Sequence, residues 1–274
     1  MKLKQKIQYF LPPIIVNFLK RVLPKRYGWK GDYASWQEAE NTSSGYDSSE
    51  ILKRVKNSTL KVKKGEAVYE RDSVLFKKIQ YSWPLLSGLM LAAAKSSGSL
   101  RVLDFGGSLG STYFQNKRFL DKLDRVSWSI VEQNHFVEVG REEFEDERLK
   151  FYYNISECVK NENPNVLILS GVLQYIEKPI EILQEILKYG FDIVLIDLTA
   201  VSSKNQRLTI QVVKPEISKA SYPCWMLDES KIKKVFKNNN YSSLEKFKPL
   251  DGFEIFRRGK KIAEYIGEIW VKIK

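Results

Sequence analysis

The sequence predicts a doubly wound α/β fold, with a mostly parallel sheet, an antiparallel C-terminal edge and an N-terminal helical cap. Three observations predict it. From residue 100 onward, five short apolar runs alternate with amphipathic stretches. The first run ends in a glycine-rich turn, Gly106-Gly107-Ser108-Leu109-Gly110. The second ends on an acid, Glu132, 22 residues after Gly110. Strands separated by helices need crossover connections, and such crossovers build parallel sheets.

The five strands are expected at 100–105, 126–132, 149–153, 166–170 and 191–198, with helices at 113–122, 135–145, 155–160 and 179–189. The pattern then changes to a helix over 228–237 and strands over 241–247 and 264–273, the last two suited to antiparallel pairing. Upstream, helices are expected at 49–56 and 73–95, the second kinked at Pro84. Residues 27–47 interleave Gly28, Gly31 and Gly45 with Tyr27, Trp29, Tyr33, Trp36 and Tyr46, a structured aromatic cap and not a linker. At the start, Pro12 and Pro13 open a helix whose Ile14, Ile15, Phe18, Leu19, Val22 and Leu23 form one apolar stripe. Three units follow: a basic amphipathic helix (1–26), a helical and aromatic cap (27–98) and a ligand-binding domain (99–274).

Composition narrows the function classes. The 274 residues are 43% hydrophobic, enough to bury a core. The net charge of +12 favours anionic partners, but residues 1–30 carry lysine and arginine without any acid and supply much of the excess. No nucleic-acid signature accompanies it, and none is expected as a partner. Cys158 and Cys224 fit neither a metal spacing nor a disulfide framework, which points to a reducing cytosol. No run approaches the ~20 apolar residues of a membrane span. The expectation is a cytoplasmic protein, with two readings open for the first helix. It packs on its own domain, or it lies on the anionic inner face of a membrane.

The glycine turn carries the chemistry. Open α/β sheets bind ligands outside the carboxyl ends of their strands, where glycine lets a ligand approach the backbone. The dinucleotide pattern G-x-G-x-x-G fails here, because Ser108 and Ser111 stand where its second and third glycines belong. A nicotinamide oxidoreductase is thereby disfavoured. Asp104-Phe105-Gly106 matches a kinase fragment, yet no His-Arg-Asp loop exists and His135 is the sole histidine. An acid at the strand end followed by small residues at alternate positions, Asp104, Gly106, Ser108 and Gly110, suits S-adenosylmethionine. Glu132 is then placed to accept hydrogen bonds from both ribose hydroxyls. Gly171, Val172 and Leu173, after the fourth strand, face the same crevice. The expected cofactor contacts are Asp104, Gly106, Gly107, Ser108, Gly110, Glu132, Gln133, Gly171, Val172 and Leu173.

Over residues 27–274 the chain resembles a family of S-adenosylmethionine-dependent methyltransferases associated with bacterial surface-polysaccharide biosynthesis. The resemblance is carried by Tyr33-Ala-Ser-Trp36 with Glu38-Ala39, Gly45-Tyr46-Asp47, Tyr69-Glu70-Arg71-Asp72-Ser73 and the turn Asp104–Gly110. Trp128 through Gln133, Leu169 through Tyr175 and Tyr222-Pro-Cys-Trp225 complete it. It implies a Rossmann-like class I methyltransferase sheet and carries the glycine turn and Glu132 over as cofactor contacts. One departure is Leu198, where an arginine is expected after Asp197.

The expected activity is methyl transfer to a saccharide or other polar small-molecule or glycan acceptor. The donor is already activated, so alignment supplies much of the rate. An oxygen acceptor also calls for a base, for which Asp72 and His135 are the candidates. Each also has a structural reading: Asp72 as a helix cap or partner of Arg71, His135 as a loop residue beside the adenosine. Tyr46, Arg71, Tyr175, Tyr222 and Trp225 are expected to wall the acceptor pocket. The alternative function is a cofactor-binding protein without turnover, serving as a partner at the membrane surface.

Overall fold

The computed structural model describes residues 27–45, 48–71, 73–202, 204–213, 220–257 and 260–273. The basic helix expected over 1–26 lies outside them. A central sheet organises the rest. Its core strands are β4 (Ser99–Phe105), β5 (Arg125–Val131), β6 (Leu149–Tyr152), β7 (Val166–Ser170) and β8 (Ile193–Ser202). They run parallel in the spatial order β6-β5-β4-β7-β8, so the order reverses at β4 and β7. Reversal at neighbouring strands opens a crevice at their carboxyl ends, the usual ligand position in doubly wound sheets. β13 (Lys260–Lys272) continues the sheet antiparallel to β8 and carries β11 (Tyr241–Phe247) and β12 (Glu254–Arg257) along its other side. The expected doubly wound sheet with its antiparallel C-terminal edge is the fold observed.

Strand alternation splits the core. Val102, Trp128, Ile168, Ile193 and Leu195 face α3 (Trp83–Lys95), α4 (Ser111–Leu120) and α5 (Asn134–Glu143). Leu103, Leu167, Leu169, Val194 and Ile196 face α6 (Ile155–Glu162), α7 (Pro179–Leu187) and α8 (Glu229–Asn238). Both faces of these strands are covered, which is why they read as unbroken apolar runs. On the second face Phe236 stacks on Trp270 with centroids 4.2 Å apart, and the Tyr241 hydroxyl donates to the Phe191 carbonyl at 2.8 Å.

Several upstream expectations are corrected. The helix expected over 49–56 runs the full length of α2 (Ser48–Lys63). The single helix expected over 73–95 is a short hairpin, β2 (Tyr69–Arg71) with β3 (Val74–Phe76), followed by α3. Pro84 occupies the first turn of α3 and produces no kink, since its missing N–H is unpaired there in any helix. Residues 27–45 and 204–227 contain strands that periodicity did not reveal. β1 (Gly28–Tyr33) pairs antiparallel with β9 (Arg207–Val212), and β9 with β10 (Ser221–Asp228). β10 joins the far end of β8 through Leu227 and Asp228. These three strands form a platform beyond the carboxyl ends of the core strands. Helix α1 (Trp36–Thr42), capped by the Ser35 hydroxyl, packs on it through Ala39 and Trp36 against Leu208 and Ile210.

The Trp270 stack yields a stability prediction. Trp270→Ala removes a 1%-exposed ring from the partner face of Phe236. It should cost about 3–5 kcal/mol in urea unfolding, the range for deleting a buried aromatic. A loss below about 1 kcal/mol would mean that the antiparallel edge is not anchored there.

Candidate functional site

The site is built from the base of the crevice upward. β4 delivers Asp104, 1% exposed, directly beneath the glycine turn. A Cβ on Gly107 would lie 2.5 Å from the Asp104 carboxyl carbon, so only glycine lets the turn close over that carboxyl. The Trp128 indole N–H donates to Asp104 Oδ2 at 3.2 Å. Burial pushes the Asp104 carboxyl up to about 7, the Trp128 bond pulls it down and the charge of Glu132 adds to the rise. Asp104 therefore supports the turn from below and is covered by it.

The turn then rises in an unusual backbone. Gly106 (φ 75°), Ser108 (φ 55°) and Gly110 (φ 96°) all lie in the left-handed region, where glycine is at ease and serine is strained. A Cβ on Gly106 would meet Val172 Cγ2 at 2.6 Å, so this glycine also sets how closely the turn packs on the segment after β7. Gly110, whose N–H donates to the Gly107 carbonyl at 3.1 Å, caps the start of α4. From the hairpin side, Glu70, 2% exposed, accepts the hydroxyls of Ser111 and, at 3.3 Å, Thr59. It pins the start of α4 to α2.

Glu132 stands just past β5 and spans the turn. Its Oε1 accepts the Ser108 N–H at 3.2 Å and its Oε2 the Gln133 N–H at 2.8 Å. Each oxygen keeps a further lone pair. Burial raises its carboxyl, and the two backbone donors and His135 pull it down. His135 lies at the start of α5 with its ring 5.0 Å from Phe136 and a buried Nε2 that has no partner among the described residues.

On the other side of the turn, Gly171 (φ 64°) donates its N–H to the Asp197 carbonyl at 2.9 Å, and Leu173 is fully buried. A Cβ on Gly171 would meet only Leu198 Cβ at 3.9 Å, leaving the space above it open. Gln174 ties this segment to β8 by donating to the Leu198 carbonyl at 3.0 Å. The Tyr175 hydroxyl reaches the platform, donating to Gln211 Oε1 at 2.8 Å, and its ring meets Tyr222 edge-on at 5.4 Å. Trp225, on the same strand as Tyr222, is packed against Trp36 and spends its indole N–H on the Glu177 carbonyl. Arg71, at the end of β2, pairs with Asp251 and lies over the Phe76 ring.

The structure thus brings the expected cofactor residues to one crevice, with Asp104 and Leu173 as its buried supports. Tyr175 adjoins it from the segment after β7, and Tyr222 and Gln211 from the platform. Asp72 and Tyr46 lie outside the described residues. Sequence reasoning passed over Glu70, Gln174 and Gln211, which carry no periodic signal. It met Asp197 only as the neighbour of Leu198. A charged residue that terminates the apolar run 193–196 was the available signal.

No family model and no curated protein matches the sequence. Solved structures with a similar arrangement include the N-terminal domain of EvdMO1 with SAH bound, at 12% identity and a TM-score of 0.45 over 84% of this chain and 98% of that one. A SAM-dependent methyltransferase from Methanosarcina mazei aligns at 10% identity and a TM-score of 0.45, covering 72% of this chain and 99% of its own. CalS10, an amino pentose methyltransferase from Micromonospora echinaspora, aligns at 8% identity and 0.40, covering 69% and 92%. At such distances the functional case rests on the crevice itself.

The buried carboxyl under the turn gives a pH prediction. Asp104 is raised from 3.8 to about 7 on folding, so its neutral form stabilises the native state. That contribution is complete below the unfolded value near 4 and is lost as pH rises through about 7. The unliganded protein should therefore melt at lower temperature at pH 8 than at pH 5, and Asp104→Asn should flatten that slope. An unchanged slope in the variant would assign the dependence to other groups.

Proposed function

We propose that the chain is an S-adenosylmethionine-dependent methyltransferase acting on a saccharide or similar polar acceptor in surface-polysaccharide biosynthesis. Residues 99–274 form its cofactor-binding domain and 27–98 its cap. The observation that carries this reading is Glu132. Its carboxylate, at the end of the strand beside β4, bridges to the glycine turn and keeps lone pairs on both oxygens. That is the donor-accepting geometry two neighbouring ribose hydroxyls require. Gly106, Gly107, Ser108 and Gly110 would lie along the amino-acid arm, Gly171 and Val172 beside the sulfur, and Gln133 and His135 near the base. Bound there, the cofactor supplies a methyl group already activated as a sulfonium. The chain's own work is to hold the acceptor in line and to exclude water.

The acceptor side is supported by the platform. Tyr175 and Tyr222 present an edge-on aromatic pair above the crevice, and Gln211 adds a polar group beside them. Aromatic faces with hydrogen-bonding neighbours suit sugar rings. The resemblance stated above supports the polysaccharide assignment. Cofactor binding without turnover is the second reading, favoured by Ser108, whose strained backbone replaces a glycine in the turn. A set of nucleoside-diphosphate sugars and envelope glycans, assayed for release of S-adenosylhomocysteine, separates the two: turnover on any of them excludes the second.

The cofactor reading has a direct test. Glu132→Ala should weaken S-adenosylmethionine binding in calorimetry by roughly 10- to 150-fold, equivalent to 1.5–3 kcal/mol for a hydrogen bond to a charged group. Unaltered affinity would remove Glu132 from the site.

Among the described residues no helix is long and apolar enough to cross a membrane. We infer that residues 1–26 hold a cytoplasmic enzyme at the inner membrane face, since they join an apolar stripe to a basic, acid-free surround. Basic residues add ~1 kcal/mol each near an anionic surface, and salt screens them. The full chain should co-sediment with anionic vesicles at low salt and separate from them at high salt. A chain lacking residues 1–26 should stay in the supernatant. Equal recovery of both in the pellet would exclude this role.

A further inference from the structure

Asp197 is the last residue of β8 level with the crevice. Asp104 pairs with Ile168 and Ser170 with Asp197, so two residues past Asp104 the turn glycine Gly106 stands level with both Ser170 and Asp197. At this level β7 ends, while β8 continues to Ser202 through a break in its register with β13. Gly171 takes φ 64°, and Leu198 takes φ 45° without being glycine. A leucine in that region is strained, and such strain collects where function needs a local bend. Leu198 joins the cluster of Trp29 and Ala200, while Asp197 alternates with Ile196 onto the Leu195 face of the sheet.

The Asp197 side chain is only 5% exposed, yet its Oδ1 has no partner among the described residues. Buried polar atoms are nearly always paired, so an orphaned carboxylate oxygen at a ligand crevice calls for a donor brought by a ligand. The charged groups that act on it come from two elements. Arg71 on β2 favours its ionised form, and Asp251, in the turn after β11, opposes it. These two also pair with each other, bridging the hairpin to the far edge of the sheet. Asp104 is covered by Gly107, and His135 lies across the turn beside Glu132.

We propose that Asp197 is the catalytic carboxylate that takes the proton from the acceptor's hydroxyl, an assignment that rests on the reading of this crevice as a methyltransferase site. The acceptor's O–H bond breaks and its proton moves to Oδ1. The electron pair left on oxygen forms the bond to the methyl carbon, whose bond to sulfur breaks with its pair retained on sulfur. The carboxylate becomes a carboxylic acid and the sulfonium a thioether, so atoms and charge balance. Burial lifts the Asp197 carboxyl to about 7, with the Leu198 N–H and Arg71 pulling it down, which suits a group that must gain and lose a proton near neutrality.

The experiment is calorimetric titration of the full chain, wild type and Asp197→Asn, with S-adenosylmethionine and with S-adenosylhomocysteine. It is run in buffers of different ionisation enthalpy to count protons. The first ligand carries a positive charge that the second lacks, and a cation beside Asp197 favours the carboxylate. Near neutral pH the wild type should release roughly half a proton more with the sulfonium than with the thioether, beyond the difference seen in Asp197→Asn. S-adenosylhomocysteine should bind the variant within about threefold of wild type, and S-adenosylmethionine roughly 5- to 50-fold more weakly, as the linkage to that proton release requires. With any acceptor from the sugar set, the variant should lose about 100-fold or more in turnover. Equal proton release in both proteins, or retained turnover, overturns the proposal. If neither ligand binds the wild type, it is the methyltransferase reading that fails. Should Asp197→Asn not fold, Asp197→Ser takes its place. In the wild type alone the excess release should peak near about pH 7, and a flat profile from about pH 5 to pH 8 overturns the assignment.

Discussion

The Asp104 carboxyl lies so close beneath Gly107 that a Cβ there would stand 2.5 Å from it, and much of the crevice follows from that contact. With the carboxyl held by Trp128, the turn after β4 has one height at which it can close. At that height Gly106 rests on Val172, Ser108 offers its N–H to Glu132 and Gly110 starts α4. Three strands are thereby fixed relative to one another by a single close approach. A buried carboxyl is a costly support, and glycine stands above it because a Cβ would meet Asp104 Oδ2 at 2.6 Å.

The crevice also shows two buried acids of similar titration and opposite use. Asp104 and Asp197 are both lifted to about 7, chiefly by burial. One has its oxygen engaged by an indole N–H under the turn. The other keeps an oxygen without a partner among the described residues, just past the end of β7. The difference lies in backbone position: Asp104 is followed by a turn that folds back over it, and Asp197 by a left-handed Leu198 at a break in the β8–β13 register. Cys158 and Cys224, by contrast, have thiols pushed up to about 12 by burial and take no part in this chemistry.

The central sheet was legible because both faces of its strands are covered, so each strand is an apolar run of the right length between helical stretches. The run 166–170 coincides with β7, and 241–247 with β11. The glycine turn and Glu132 were legible for a different reason: their spacing reflects one crossover. The platform was not. β1, β9 and β10 are half-covered strands in which Lys30, Arg207, Gln211 and Pro223 interrupt any apolar rhythm, and β1 finds its partner far away in the chain. Residues 73–95 misled because Val74, Leu75 and Phe76 supply helix-compatible apolar spacing upstream of a true helix. Pro84 marks the start of that helix, not a bend within it. Asp197 carries no motif. Its role depends on the Leu198 backbone, which sequence periodicity cannot express.

The pairing of β1 with β9 has a consequence for how the chain is made. Gly28 pairs with Val212, and Ser44 meets the Ser221 hydroxyl, 177 positions later, at 2.8 Å. At ordinary synthesis rates that distance corresponds to roughly 10–35 seconds on the ribosome. Throughout it, Trp29, Tyr33 and Trp36 have no platform to cover them, while the strands of the central sheet emerge and can already pair with one another. The segment that roofs the finished crevice is thus among the first to be made and the last to find its place. Its sticky aromatic face must be kept from other nascent chains until residue 265 has emerged, since Trp29 packs on Phe253 and Tyr265.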